Sequence, residues 1–307
     1  MAGPSIEIRM GRRTLRISSA DKILFPADGI TKADLARYYE AVAPAMAPHV
    51  KDRPLNLWRW NAGIEKPVVI QQAIPKGAPG WVKTVTVDRR KGGEVTHAVG
   101  GDPATLLWLA QVNCITPHAW PSRADRPGFP DRIVFDLDPP DEDAEAHFPV
   151  IRAGARLLGE RLRALGLTPY AMTSGSRGLH VVAPLRRRHH ADVVRARAGE
   201  LADDLVRDEP DAGLTTFWRK EKRGGRVLLD TARNTYGQTT VAPYAVRAIP
   251  GAPVATPLAW EELEDPALHP RVHTLTTVRE RLDAGGDPWR DIAKAAAELP
   301  HGSGDPR

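Results

Sequence analysis

Two aspartates end an apolar stretch in the segment DRIVFDLDPPDED, residues 131–143. The odd-numbered residues 133–137 are apolar and alternate with Asp136 and Asp138, and this period of two predicts a β-strand over 132–138. Residues two apart on a strand share a face, so both carboxylates would leave the sheet together, about 6–7 Å apart. Their repulsion on a half-buried strand would be relieved by a divalent cation, and oxygen ligands favour Mg²⁺ or Mn²⁺.

A simpler interpretation is that these acids only flank a surface loop, and we prefer it for residues 141–143 after Pro139-Pro140. An Asp-x-Asp pair also occurs in nucleotide-sugar transferases. A third aspartate, Asp230, ends another predicted strand, RVLLD, although alone it could be structural. Three such aspartates holding two metal ions would suit phosphoryl transfer, because one ion activates an attacking hydroxyl and the other stabilises a pyrophosphate leaving group.

A glycine-rich turn, SGSRGLH at residues 174–180, predicts a second functional element. Glycines allow backbone N–H groups to approach an anion, and Ser174, Ser176 and Arg177 add hydrogen-bond donors. His180 follows on a predicted strand and could point toward the turn. An ordinary hairpin with a structural histidine fits the same pattern, and His118, near aromatic residues, could also be structural.

Composition limits the possible classes. The 307 residues suffice for one large domain or two small ones, and 42% hydrophobic content supports a real core. The single cysteine, Cys114, excludes an intramolecular disulfide framework and fits a reducing compartment. No stretch has the length of a membrane span and the N-terminus lacks an apolar signal segment, so a soluble cytoplasmic protein is expected.

Positive charge is concentrated in the second half of the chain. The net charge is +5, and residues 151–250 alone hold 18 Lys and Arg against 10 Asp and Glu. A basic region that carries an acidic metal site indicates a polyanionic substrate. An arginine-rich composition with solvated side chains would produce the same count.

Strands and helices interleave along the chain, which predicts an α/β or α+β fold. A capping box at Thr31 opens a helix in which Pro44 and Pro48 should cause a kink or an end. Residues 5–18 resemble a short strand leading into a loop. The other expected elements are strands at 55–60 and 68–72, a hairpin over 81–99, and helices near 103–113, 146–165 and 190–207.

The ordered motifs DLDPP, SGSRGLH and LLDTARN resemble the polymerase domain of bacterial ligase D, a member of the archaeo-eukaryotic primase superfamily. The resemblance extends from DKILFP at residue 21 to Asp291, and includes TKADLARYY, Arg53-Pro54, IPKGAPGWV and HAWPSR. It implies a two-module primase-polymerase fold with the active cleft between the modules. We therefore expect one intertwined domain over 1–292 and a disordered tail over 293–307.

The resemblance also implies an activity: template-dependent extension of DNA ends or gaps, with ribonucleotides preferred and two Mn²⁺ or Mg²⁺ ions as cofactor. Gapped or broken DNA and nucleoside triphosphates would be the partners, with Ku-type and ligase proteins as further candidates. By residue match, the metal ligands are Asp136, Asp138 and Asp230. The remaining matches are triphosphate contacts at Ser174 and His180, further nucleotide contacts at His118 and Arg233, a 5′-phosphate pair at Lys22 and Lys32, and a DNA-end-bridging residue at Arg223.

One departure from the family pattern concerns base stacking. An aromatic pair followed by Gln-Lys is usual after the segment Arg59-Trp60-Asn61, whereas this chain has Val69-Ile70 followed by two glutamines. Stacking contributes roughly 1–3 kcal/mol per base, so template positioning and fidelity could differ here. The alternatives are a primase that starts strands de novo and a non-catalytic module that binds DNA ends; the intact aspartates argue against the latter. A glycosyltransferase would need no basic cleft.

Overall fold

The computed structural model describes residues 3–300. In this range the chain forms five α-helices, which are α1 Lys32–Val50, α2 Pro103–Gln111, α3 Ala144–Ala164, α4 Ala191–Asp208 and α5 Thr277–Gly285. The strands of the same range are β1 Ile6–Met10, β2 Arg13–Ile17, β3 Ile23–Phe25, β4 Ile30–Thr31, β5 Pro54–Arg59, β6 Val69–Gln71, β7 Thr84–Asp88, β8 Glu94–Val99, β9 Cys114–Ala119, β10 Arg132–Asp138, β11 Tyr170–Thr173, β12 Leu179–Pro184, β13 Leu214–Thr215, β14 Val227–Asp230, β15 Thr240–Val241 and β16 Pro257–Leu258.

The chain divides into two compact units, each assembled from three separate segments. The first unit comprises Met1–Trp120, Thr239–Thr256 and His273–Asp287, and the second comprises Pro121–Gln238, Pro257–Val272 and Pro288–Arg307. Neither unit is therefore a continuous stretch of sequence. Contacts between residues far apart in the chain are needed to close each one.

The second unit is built on a six-stranded sheet with the order β13-β14-β10-β12-β11-β16. Strand β10 covers the predicted range 132–138 and lies between two antiparallel neighbours, β12 and β14. Ile133, Phe135 and Leu137 are fully buried in a core that also contains the apolar faces of α3 and α4. The alternation of the strand then directs Asp136 and Asp138 to the opposite face of the sheet.

The first unit contains a second sheet, with the order β15-β9-β5-β8-β7 and with β6 paired to β5. Helix α1 begins as the capping box predicts: Thr31 Oγ1 accepts the N–H of Asp34, and Asp34 accepts the N–H of Thr31. The helix passes Pro44 and ends at Val50, two residues beyond Pro48 and close to where the two prolines predicted an end. Burial of its apolar face, including Tyr39 and Met46, outweighs the two missing backbone donors.

Two terminal segments differ from expectation. Residues 5–18 form a complete hairpin, in which β1 pairs with β2. Residues 293–300 were placed in the disordered tail, yet Ala297 bridges Leu185 and Leu299 is buried in the core of the second unit. This short segment, AKAAAELP, is ordered because it covers apolar surface of the second unit. Residues 301–307 lie outside the described residues.

Over residues 3–300, none of the helices combines the length and the apolar character that crossing a membrane requires.

Candidate active site

Three aspartates meet where β10 and β14 lie side by side. Asp136 pairs with Asp230 across the two antiparallel strands, and Asp138 lies two residues further along β10 on the same face. One carboxylate oxygen from each residue lies within 4.8 Å of the others. The alternation in DRIVFDLD predicted that Asp136 and Asp138 share a face, and the register of β10 with β14 adds Asp230. A set of hard carboxylate oxygens, two of them on nearly inaccessible side chains, suits Mg²⁺ or Mn²⁺.

Asp136 is the acid that the protein itself holds in the ionised form. Burial opposes its ionisation, but His180 and Arg233 together outweigh burial and lower the pKa of Asp136 to about 2. His180 Nε2 lies 3.4 Å from Asp136 Oδ1, and Arg233 Nε lies 3.3 Å from Oδ2. The cross-strand pairing of Asp136 with His180 on β12 places this histidine beside Asp136.

For Asp138 and Asp230, the neighbouring positive charges do not offset the effect of burial. Burial and the charge of Asp136 raise the pKa of Asp138 to about 6. Burial also raises the pKa of Asp230, with a further contribution from Asp136. Both carboxylates therefore resist ionisation as long as only protein groups surround them. A divalent cation would supply the missing positive charge, so the donor set fits a metal in its electrostatics as well as in its chemistry.

The turn at residues 174–178 is held together by the side chain of its first residue. Ser174 Oγ accepts the backbone N–H groups of Ser176, at 3.3 Å, and of Gly178, at 3.0 Å. Gly178 lies directly against β10, because a Cβ atom there would be 2.1 Å from the carbonyl oxygen of Leu137. The turn is thus fixed beside the aspartates. Ser174 organises it, whereas Ser176 lies on it and keeps its side chain available.

Arg233 reaches the aspartates because Asn234, the last residue of the LLDTARN motif and one to which no role was assigned, anchors the segment after β14. The side chain of Asn234 is buried; it accepts the N–H of Val134 at 2.8 Å and donates to the carbonyl of Val134 at 2.7 Å. These two bonds continue the ladder of β10 beyond the last residue of β14. Arg233 consequently lies 3.3 Å from Asp136 and 3.8 Å from Asp230.

His118 lies on β9 in the first unit, where it is opposite Asn56 of β5. Its imidazole stacks on the indole of Trp58, with 4.2 Å between ring centroids and 9° between planes. Trp58 in turn pairs with Ile70 of β6, one of the two residues that stand in place of the usual aromatic pair. Trp58 is a second residue that sequence analysis missed, because the register of β5 with β6 and β9 is not a local property.

Lys22 and Lys32 are adjacent, as a shared phosphate pocket requires. The backbone N–H of Lys32 donates to the carbonyl of Lys22 at 2.8 Å, and Lys32 is the first residue of α1 after the capping residue Thr31. Lys22 Nζ donates to the carbonyl of Asn61 at 3.0 Å. Burial, and secondarily the charge of Lys22, lower the pKa of Lys32 to about 8. An anion held between the two lysines would relieve both effects.

Arg223 occupies an unexpected position for a residue that bridges DNA ends. Its side chain is buried, and its guanidinium donates to the carbonyl of Trp218 at 3.0 Å. Buried Arg223 thus holds the loop between β13 and β14 from its inner side. The exposed residues of this loop are Phe217, Trp218, Arg219, Lys220, Glu221, Lys222, Gly224 and Gly225.

Comparison with known proteins identifies relatives that cover nearly all of this chain. The family model described as "LigD, primase-polymerase domain" matches residues 31–289. The multifunctional non-homologous end joining DNA repair protein LigD of Mycobacterium tuberculosis is 34% identical over 279 residues, which are 88% of this chain and 36% of that protein. The bifunctional non-homologous end joining protein LigD of Bacillus subtilis is 28% identical over 93% of this chain and 45% of its own length.

A solved structure gives the same result. The structure titled "Polymerase Domain from Mycobacterium tuberculosis Ligase D in complex with DNA" superposes with a TM-score of 0.84 at 32% sequence identity, and the match covers 92% of this chain and 99% of that one. The predicted mixed α/β primase-polymerase fold is therefore confirmed. The family resemblance read from DLDPP, SGSRGLH and LLDTARN is confirmed as well.

The electrostatics of Asp138 lead to a prediction about stability. Its pKa is raised from 3.8 to about 6, so folding is opposed by this carboxylate above pH 6 and is not opposed below pH 3.8. Asp138→Asn removes the charge and keeps the shape. At pH 7.5 without metal, this variant should be more stable by on the order of 1–3 kcal/mol, which raises Tm by a few degrees.

Thermal unfolding with and without Mn²⁺ checks this prediction. Mn²⁺ should raise the Tm of the unsubstituted protein and have much less effect on Asp138→Asn, because a ligand that binds only the folded state stabilises it. Glu145→Gln, an exposed acid at the start of α3, is the matched control and should behave like the unsubstituted protein. Equal Mn²⁺ shifts in Asp138→Asn and the control would contradict the metal site.

Proposed function

Because the chain belongs to the LigD primase-polymerase family, we propose that it is a metal-dependent nucleotidyltransferase that extends DNA at gaps or broken ends, directed by a template, in end-joining repair. The observation that carries this proposal is the convergence of Asp136, Asp138 and Asp230 on one face of β10 and β14. The chain spans about a third of the length of the LigD proteins of Mycobacterium tuberculosis, Mycolicibacterium smegmatis and Pseudomonas aeruginosa. We propose that this chain shares the role of those longer proteins in end joining.

The three aspartates would hold two divalent ions, with Mn²⁺ or Mg²⁺ as the candidates. Bound there, such ions lower the pKa of an attacking hydroxyl and stabilise the charge of a pyrophosphate leaving group. The side chains of the protein position these reactants. Asp136 enters the reaction ionised, because His180 and Arg233 hold its pKa at about 2. Any metal that arrives therefore meets a carboxylate that is already charged.

We assign the triphosphate of the incoming nucleotide to the donors beside the aspartates. Ser176 lies on the turn that Ser174 organises, and His180 and Arg233 flank Asp136. Arg233 can donate to phosphate oxygens from the side of the carboxylates, since its guanidinium already spans Asp136 and Asp230. His118, oriented by its stack on Trp58, remains a predicted further contact to the nucleotide.

Lys22 and Lys32 would bind the 5′-phosphate of the strand downstream of a gap. A terminal phosphate carries more negative charge than an internal diester, and the dipole of α1 adds a favourable field at the first turn of the helix. A pocket of this kind distinguishes a strand end from a continuous strand. Such a pocket favours gap or end filling over de novo priming, and the three intact aspartates argue against a non-catalytic role at DNA ends.

The remaining partners follow from the same proposal. Nucleoside triphosphates and gapped or broken DNA are the substrates, and Ku-type and ligase proteins are candidate partners in the repair reaction. A protein that repairs chromosomal DNA would be located in the cytoplasm, in association with the nucleoid. Asp136 is the residue to substitute first, because it contacts both His180 and Arg233, the two groups that offset its negative charge.

Asp136→Ala should reduce nucleotide addition to background while DNA binding survives, because removing an anion weakens no phosphate contact. Incorporation of labelled nucleotide on a gapped primer-template with Mn²⁺ measures the first effect, and fluorescence anisotropy of the same DNA measures the second. Glu145→Gln is again the control with full activity expected. Normal turnover in Asp136→Ala would refute the assignment of this residue as a metal ligand.

The sugar preference is a separate prediction, derived from the family resemblance. Ribonucleoside triphosphates should be incorporated at least as fast as their deoxy counterparts. Parallel time courses on one gapped substrate, with each nucleotide type in Mn²⁺, provide the comparison. A strong preference for deoxynucleotides would mean that this chain departs from the family in substrate choice but not in chemistry.

Gapped DNA with a 5′-phosphate should bind roughly ten- to a hundredfold more tightly than the same DNA with a 5′-hydroxyl, as expected for a charge-assisted contact. The double variant Lys22→Ala, Lys32→Ala should abolish the difference and leave binding of the hydroxyl form much less affected. Fluorescence anisotropy titrations of both DNAs measure this difference in affinity. Equal binding of the two DNAs by the unsubstituted protein would contradict a 5′-phosphate pocket at Lys22 and Lys32 and would support the primase alternative.

The lowered pKa of Lys32 adds a pH dependence to this experiment. Lys32 is charged below pH 8 and loses its charge above it, so the advantage of the 5′-phosphate should decline between about pH 8 and 10. Lys32→Arg retains the charge throughout this range, because arginine stays protonated. The preference of that variant should not vary with pH; a decline identical to that of the unsubstituted protein would exclude Lys32 as the titrating group.

A further inference from the structure

Two adjacent aromatic side chains are exposed on the second unit. Phe217 is 52% exposed and Trp218 is 65% exposed, and both lie in the loop between β13 and β14. Large neighbouring apolar side chains that remain in contact with water usually mark an interaction surface. Neither residue belongs to the metal site or to the core of the unit.

The same loop is rich in positive charge. Arg219, Lys220 and Lys222 are exposed, and Glu221 is the one acid among residues 217–223. Aromatic rings combined with cations on one short segment are the two components of a surface that binds single-stranded nucleic acid: the rings stack on bases and the cations track the phosphates. A purely apolar protein partner would not require the cations, and a duplex backbone would not require the rings.

The loop is held in place by backbone contacts. Buried Arg223 donates to the carbonyl of Trp218 at 3.0 Å, Phe217 N–H donates to Thr215 Oγ1 at 3.2 Å, and Lys222 N–H donates to the carbonyl of Arg219 at 2.9 Å. Ordering a flexible loop would reduce affinity, and these bonds remove part of that cost before binding. The position of Arg223 is thus explained, since it supports the residue that carries the exposed indole.

A groove of about 580 Å³ lies beside the indole of Trp218, and its lining extends along α4 to Asp230. This volume is in the range of small-molecule sites and suffices for nucleobases. Gly199 of α4 leaves the groove open, because nothing lies within 4 Å of the position that its Cβ atom would take. The groove is lined by one cation, Arg195, together with Asp203 and Asp230, so its charges do not favour phosphates, and we expect bases to face it while phosphates follow the lysines.

We propose that Phe217 and Trp218 form a stacking platform for unpaired bases of a single strand at the margin of the active site. This inference rests on the proposed function for the choice of nucleic acid as the partner. It assigns base contact to the exposed aromatic residues and a supporting role to the buried Arg223. Such a platform would hold a template overhang or a frayed end next to the catalytic sheet without reading its sequence.

The test compares two labelled single strands by fluorescence anisotropy, in EDTA and without nucleotide. One is an oligodeoxythymidylate of about 12 nucleotides, and the other has the same length and charge but abasic sites in place of bases. The unsubstituted protein should bind the strand with bases about five- to a hundredfold more tightly per stacked base. Trp218→Ala and Phe217→Ala should reduce this ratio toward one without changing affinity for the abasic strand.

Three further variants separate stacking from other contacts. Trp218→Leu keeps apolar bulk but has no aromatic face, so it should behave like Trp218→Ala. The double variant Lys220→Gln, Lys222→Gln should weaken both strands equally and reduce the salt dependence of binding. Val193→Ala, another exposed apolar residue of the second unit, is the matched control and should leave both affinities unchanged.

The outcomes distinguish this inference from the proposed function. A base preference that is absent in the unsubstituted protein, or that survives in Trp218→Ala, would overturn the platform even if nucleotide addition is normal. Equal loss of affinity for both strands in Trp218→Ala would overturn it as well. If the preference depends on Trp218 but the protein adds no nucleotide to gapped DNA, then the platform stands and the polymerase proposal fails. Asp136→Ala should retain the preference, since it removes only a metal ligand.

Discussion

The pairing of Asp136 with Asp230 across two antiparallel strands is the constraint on which the rest of the second unit depends. It brings two carboxylates together on a surface that is largely closed to water, and Asp138 adds a third from the same face. Burial alone would make each ionised carboxylate less stable than in water, and only Asp136 is fully compensated, by His180 and Arg233. The opposite face of the sheet must therefore supply the folding free energy, and it does so through the large apolar core under α3 and α4.

The segments that follow the strands are held by side chains that bond to backbone. Asn234 takes the place of a missing strand residue beside Val134, and Ser174 closes the turn over two N–H groups. Irregular backbone near a buried site would otherwise leave donors and acceptors unpaired. These polar anchors explain how Arg233 and Ser176 can lie outside the strands and still have a fixed backbone.

Aromatic side chains that could meet bases lie at separate places in this chain. The family resemblance leads us to expect an aromatic pair where Val69 and Ile70 are exposed, and Trp58 lies across from Ile70 with its ring on His118. Two other aromatic residues, Phe217 and Trp218, are exposed on the second unit. Base stacking is tolerant of sequence because every base has an aromatic face. Loss of rings at one position is therefore not equivalent to loss of stacking by the protein.

The amino-acid sequence by itself determined those features whose physical cause is local. The alternation in DRIVFDLD predicted strand β10 with its bounds and put Asp136 and Asp138 on one face; Thr31 and Asp34 predicted the start of α1. Such features depend on periodicity and on hydrogen bonds between near neighbours. They hold in any tertiary context that buries the apolar face.

Only the tertiary structure decided which distant residues meet. The register of β10 with β14 joined Asp136 to Asp230, the stack of Trp58 on His118 came from the pairing of β5 with β9, and burial of Leu299 ordered part of the expected tail. The same holds for Arg223, whose sequence context indicates an exposed basic loop although its guanidinium is buried under Trp218. Register and burial are set by the packing of the whole unit, which no local pattern encodes.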